Sequence, residues 1–114
     1  MNNQLVYYDC GTNSWHWPIA IAHGEVPEPR KEPSGFAHIS TEKDPRPLAF
    51  IFGGATERQW GGLSRQTLLN DLFYLDLDCM RWEFVPRLSQ WPESRIHQSL
   101  IKISSTRAVL YGGH

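Results

Sequence analysis

The chain reads as an all-β protein assembled from four-stranded antiparallel meanders, and three observations predict it. The runs LVYYD, AFIFGG, LFYLDL, SLIKI and AVLYGG are short, rich in aromatic and β-branched residues, and bounded by Gly, Pro, Asn, Ser or Thr, which is how strands are written. No segment sustains the apolar period of a helix. Landmarks also recur in one order in two parts of the chain. YYDCGTNSW near the start matches YLDLDCMRW further on, so that Asp9 and Trp15 are spaced as Asp76 and Trp82 are.

The elements follow in order. LVYYD is a strand closing at Asp9, and Trp15 opens the next one after a tight turn. The polar stretch HGEVPEPRKEPS, with Arg30, is a loop. A strand from about Gly35 and the strand PLAFIFGG, ending at Gly53-Gly54, come next, separated by the insertion STEKDPRP. The residues TERQWGGLSRQTLL are the one place for a turn of helix, although Gly61 and Gly62 favour a loop. LFYLD closes at Asp76, Trp82 opens another strand, and LSQWPESR is a second loop ending in Arg95. SLIKI and TRAVLYGG, ending at Gly112-Gly113, are the last strands. VPEPR thus parallels WPESR, and the second Gly-Gly parallels the first. The predicted organisation has third and fourth strands of one unit plus a loop in 1–34, a complete unit with a long loop at 55–70 in 35–86, and a loop with the first two strands of another unit in 87–114.

These landmarks have physical reasons that do not involve catalysis. Adjacent glycines let a strand end in a conformation that side chains obstruct. Tyr8, Tyr74, Trp15 and Trp82 offer large apolar area to fill the space between neighbouring sheets. Asp9 and Asp76 stand where turns begin, and their carboxylates are expected to cap turn amides.

Composition excludes several functions. The chain has 114 residues, 40% hydrophobic and 20% charged, with a formal net charge of -1, which suits one ordinary globular domain. Lys and Arg are nearly balanced by Asp and Glu, so the basic face needed for nucleic acid is not expected. Apolar runs fall far short of the roughly 20 residues that cross a bilayer, and MNNQLVYYD lacks the order of a signal peptide. The expectation is a cytoplasmic or nuclear protein, away from membranes, with Cys10 and Cys79 as free thiols. His16, His23, His38, His97 and His114 form no pair at ligand spacing, and neither Gly-Gly leads into the Lys-Ser or Lys-Thr of a phosphate loop. Ser99, His97 and Asp76 make a triad on paper only, without a nucleophile elbow. No metal, cofactor or catalytic residue is expected.

Taken together, Gly53-Gly54 and Gly112-Gly113, Tyr8 and Tyr74 ahead of Trp15 and Trp82, and the Pro-x-x-Arg loop after each Trp resemble the kelch repeat family of β-propellers. The resemblance covers nearly the whole chain, although both intervals exceed the usual period of about 50 residues. Gln98 stands where the family usually has a His, and Pro33 stands there in the first copy. The fold implied is kelch-type β-propeller blades, about one complete blade plus two half-blades. Propellers close with 4–8 blades, so the expectation is a piece of a longer kelch protein whose half-blades leave strand edges unpaired. Such edges recruit other strands, and the isolated chain is expected to self-associate.

In a meander the second-to-third and fourth-to-first loops share one face, which here carries Arg30, Arg58, Trp60, Arg65, Trp91 and Arg95. Arg supplies a planar fork for carboxylates and Trp a stacking surface, and both are enriched at binding hot spots. Kelch-repeat substrate adaptors of ubiquitin ligases dock partner peptides on this face, often through arginines that hold an acidic or C-terminal group. By that resemblance Arg30 and Arg95 match the loop Arg, and Ser99 the small hydroxyl residue just inside it. The partner-binding candidates are Arg30, Arg58, Trp60, Arg95 and Ser99, against the alternative that the arginines tie neighbouring loops together. The favoured function is a protein-interaction scaffold. A piece of a propeller enzyme, of oxidase or isomerase type, and a truncated product without independent function are the alternatives.

Overall fold

The computed structural model describes residues 6–16, 23–39 and 45–113, and among them every regular element is a strand. β1 (Tyr7–Asp9) and β2 (Ser14–His16) form a hairpin, and β3 (His23–Gly24) is a short strand after it. β4 (Ser34–Ile39), β5 (Pro47–Phe52), β8 (Leu72–Asp76) and β9 (Arg81–Val85) make an antiparallel meander in that order. Between β5 and β8 the chain makes a separate hairpin, β6 (Ala55–Trp60) with β7 (Leu63–Leu68). A last hairpin pairs β10 (Ser99–Lys102) with β11 (Ala108–Tyr111). Among the described residues the protein is all-β: a five-stranded sheet in the order β3-β9-β8-β5-β4, of which β4, β5, β8 and β9 are the antiparallel blade, together with the two-stranded sheets β1–β2, β6–β7 and β10–β11.

Strand position in the blade explains residue choice. β4 alternates, with Ser34, Phe36 and His38 half-buried and Gly35, Ala37 and Ile39 exposed, because only one of its faces is covered. β5 and β8 lie inside the sheet and read as continuous apolar runs, with Phe52, Phe73 and Leu75 buried. Phe36 stacks on Phe50 with ring centroids 4.8 Å apart, and Phe50 meets Tyr74 at 5.4 Å. On the opposite face Phe73 packs edge-on to Phe84 at 5.2 Å and to Trp82 at 6.4 Å. Cross-strand aromatic pairs of this kind fix register as well as adding stability.

The two Asp turns share one design. Asp9 Oδ1 accepts hydrogen bonds from the Gly11 and Thr12 amides at 2.8 and 3.2 Å, and Asp76 Oδ1 accepts one from the Asp78 amide at 3.0 Å. Asn13 and Met80, which occupy matching positions, both take the left-handed conformation, with φ of 54° and 57°. Asp76 also receives Arg46 Nη1 at 3.3 Å.

Several expectations change. The segment 55–70 is neither open loop nor helix. Gly61 and Gly62 have φ of 54° and 87°, positive at both central positions of a two-residue connection, which is the geometry that joins antiparallel strands without splaying them. His23 and Gly24 pair in parallel with Arg81 and Trp82 on the outer edge of the blade, so the start of HGEVPEPRKEPS belongs to the sheet and not to the loop face. Trp82 is half-buried. Trp15 is 61% and Tyr8 42% exposed; they touch each other at 5.1 Å, and the β1–β2 hairpin hydrogen-bonds to no other strand among the described residues. Trp82 has Phe73 of the neighbouring strand packed against it, whereas Trp15 meets Tyr8 on a hairpin of two strands. The Cα radius of gyration, 15.4 Å, exceeds the ~13 Å of a compact domain of this length.

Candidate functional site

Beyond the strand ends, four stretches of chain, at Lys31, at Gly54 with Ala55, at Leu69 and at Arg95, converge and are joined by their backbones. Lys31 and Ala55 exchange both hydrogen bonds, at 2.9 and 3.0 Å. Gly54 N donates to Arg95 O at 3.3 Å, Arg95 N to Leu69 O at 3.2 Å, and Leu69 N to Gly54 O at 2.9 Å. The glycine pair at the centre has no substitute. Gly54 has φ of +94°, and a Cβ there would lie 2.6 Å from the Lys31 carbonyl oxygen. Ala55, Leu69 and Ile96 are buried at this junction, and the core runs on through the blade by way of Phe52, Phe73 and Leu75.

Arg30 is not presented to a partner. Its side chain is 4% exposed and forks onto the Asp71 carboxylate, Nη1 to Oδ1 and Nη2 to Oδ2, the latter at 3.1 Å. Nη1 also donates to Gly53 O at 3.2 Å and Nε to Glu28 O at 3.2 Å, while the guanidinium lies 5.5 Å from the Phe73 ring centre. Nε, Nη1 and Nη2 are thus all engaged inside the protein, as expected of an arginine that ties neighbouring loops together. Arg95 repeats half of this pattern: Nε donates to Glu93 O at 3.1 Å and Nη1 to Gly112 O at 3.1 Å. No carboxylate faces it among the described residues, and it is half-buried.

The remaining candidates divide. Arg58 is about half exposed and pairs with Glu28 at 2.9 Å. Across the β6–β7 hairpin its register partner is Arg65, also exposed, so two guanidinium groups stand opposite each other on one hairpin. Ser99 is exposed, whereas Ser34, its counterpart in the blade, donates to Phe52 O at 3.3 Å. The Trp60 side chain lies outside the described residues. Trp91 is half-buried, its indole N–H bonded to Asn70 O at 2.6 Å, which ties the 86–98 loop to the start of β8.

Sequence reasoning missed three participants. Asp71 is the carboxylate that holds Arg30, but 41 residues of separation leave no local signal for the pair. Gln98 is buried and clamps the two sheets by donating to Ser34 Oγ at 2.9 Å and Phe52 O at 3.1 Å, with its own Oε1 unpartnered. Glu32 Oε2 meets His97 Nε2 at 3.3 Å. Glu32 and His97 occupy matching positions two residues after each loop Arg, and both are left-handed, with φ of 55° and 62°.

The chain is 32% identical over 113 residues, 98% of its own length, to Kelch domain-containing protein 2 of Bos taurus, of which it spans 23%. No protein-family model matches the chain. The similarity supports a kelch-like family, consistent with the antiparallel four-stranded blade and its half-blades.

Proposed function

We propose that the chain is part of a kelch-repeat interaction scaffold whose loop face binds a protein or peptide through a carboxylate, from Asp, Glu or a chain end. The observation that carries this is the Arg58–Arg65 pair. Like charges directly opposite on an antiparallel pair are unfavourable alone, and a single carboxylate between them accepts charge-assisted hydrogen bonds from both. Among the described residues the Glu28 carboxylate pairs with Arg58 and not with Arg65. The hairpin that presents the pair is anchored at its base by the Lys31–Ala55 and Leu69–Gly54 hydrogen bonds, so little order is lost on binding. Similarity to a kelch-domain protein supports a scaffold over an enzyme. In its finer form, taken from the resemblance to kelch-repeat substrate adaptors, the bound partner is a substrate delivered to a ubiquitin ligase.

The test is a peptide array screened against the chain, each peptide made with a free and an amidated C-terminus and with Asp and Glu exchanged for Asn and Gln. Binding is expected to require at least one carboxylate and to weaken by about 1–2 kcal/mol in Arg58→Ala and in Arg65→Ala, with thermal unfolding unchanged. Peptides that bind equally well without carboxylates, or indifference to both substitutions, would overturn the proposal.

A further inference from the structure

At the end of the strands away from the Gly-Gly junction, the blade and the β10–β11 hairpin enclose a cavity. β4 pairs with β5 from Ser34 opposite Phe52, beside the glycines, to His38 opposite Leu48 near the far end. There Phe36, His38 and Phe50 line one wall of a cavity of about 250 Å³, and the β10–β11 hairpin lines the other. That volume lies just below the roughly 300–1,000 Å³ of pockets that take drug-sized ligands, so its ligand is small.

Two cations distinguish the hairpin wall from the matching surface of the blade. Aligned on the loop arginines and on the Gly-Gly pairs, Lys102 stands where the blade has Ala37, and Arg107 where it has Leu48. Both line the cavity. Among the described residues no carboxylate lines it, and none pairs with Lys102 or Arg107. A cleft walled by charge of one sign raises the local concentration of a ligand of the other.

The turn between the two strands adds hydroxyl groups. Ile103 N and Ser104 N donate to Arg107 O at 3.0 and 3.3 Å, which closes the turn, and Ser104, Ser105 and Thr106 line the cavity beside the cations. Ser104 Oγ accepts from Thr106 N at 3.3 Å, and its own hydrogen remains for an outside acceptor. Two cations and three hydroxyls match a phosphate monoester, with about two negative charges and three acceptor oxygens, better than a carboxylate with one charge and two oxygens. The facing wall is aromatic. Phe36 stacks on Phe50 at 4.8 Å, and His38 meets Phe50 edge-on at 6.4 Å, surfaces against which a further ring packs offset or edge-on.

We propose that this cavity binds an aryl phosphate monoester, its phosphate between Lys102 and Arg107 and its ring against Phe36 and Phe50. The fork of Arg107 takes two phosphate oxygens, Lys102 adds a point charge, and the turn hydroxyls donate to what remains. The site is separate from the loop face, and neither reading depends on the other.

Isothermal titration calorimetry of the chain with phenyl phosphate tests this, with inorganic phosphate and phenol as the two halves of the ligand. Phenyl phosphate is expected to bind at one site per chain, inorganic phosphate several-fold more weakly, and phenol not at all. A short phosphotyrosine peptide carries the same group; tighter binding than phenyl phosphate assigns the group to a protein partner, weaker binding to a free small molecule, and both support the site. Lys102→Ala and Arg107→Leu install the residues that the blade carries at those positions, with folding checked by circular dichroism, and each is expected to weaken phenyl phosphate at least tenfold. Arg87→Ala removes an exposed arginine outside the cavity and is expected to leave binding unchanged. No saturable binding, inorganic phosphate or phenol binding as tightly as phenyl phosphate, indifference to both cavity variants, or an equal loss in Arg87→Ala would overturn the proposal.

Discussion

The Arg30–Asp71 pair is the most severe test of the loop junction, because its near-twin Arg95 provides an internal control. Arg30 and Arg95 make the same two backbone bonds, Nε to the carbonyl two residues back and Nη1 to the carbonyl of a glycine in the Gly-Gly pair, Gly53 or Gly112. Only Arg30 is buried against a carboxylate, with side chains 4% and 13% exposed. Arg30→Ala strips Asp71 of its counter-charge in a site that water scarcely reaches, which costs about 3–5 kcal/mol. That is a large share of the 5–15 kcal/mol that holds a domain folded. Arg95→Ala removes ordinary hydrogen bonds from a half-buried position and should cost about 0.5–1.5 kcal/mol. Arg30→Lys keeps the charge but not the fork, and falls between. Urea denaturation reads the difference directly: with a slope of about 1–3 kcal/mol per molar, the Arg30→Ala midpoint should fall by on the order of 2 M, several times the Arg95→Ala shift. In Arg30→Met, a further Asp71→Leu change should restore stability by removing the stranded charge. Equal losses from Arg30→Ala and Arg95→Ala, or no restoration in the double variant, would refute the buried pair as the tie between these loops.

Two further expectations follow from burial and backbone. Trp82→Ala should cost about 1–3 kcal/mol, since Trp82 is half-buried against Phe73, while Trp15→Ala at the matching position should change stability by less than about 0.5 kcal/mol; thermal unfolding of the two variants side by side checks this, and equal effects would contradict it. Gly54→Ala should destabilise by about 1–3 kcal/mol, since it forces a left-handed alanine against the Lys31 carbonyl; an unaltered denaturation midpoint would show that the junction relaxes at no cost.

Strand content, the order of the meander and its Gly-Gly ends were all legible in the sequence, because each rests on interactions between near neighbours. A run such as LFYLD is a strand wherever it lies inside a sheet, and Asp9 and Asp76 need only the next few amides to form their turns. The kelch resemblance rests on the same short-range landmarks. Other features required the chain to be folded. Gly61-Gly62 looked like a break in a loop and became a hairpin, because Ala55 and Leu68 are brought level with each other by the strands they follow and precede. Arg30 carried the same local signature as Arg95, and nothing within VPEPR distinguishes a buried tie from a surface group. The distinction comes from Asp71, which reaches Arg30 only once β8 is laid beside β5. Trp15 and Trp82 likewise share one motif and differ in exposure, since the sequence sets how much apolar area a residue carries and only the strands folded beside it, which set Phe73 against Trp82, decide how much water is removed from it.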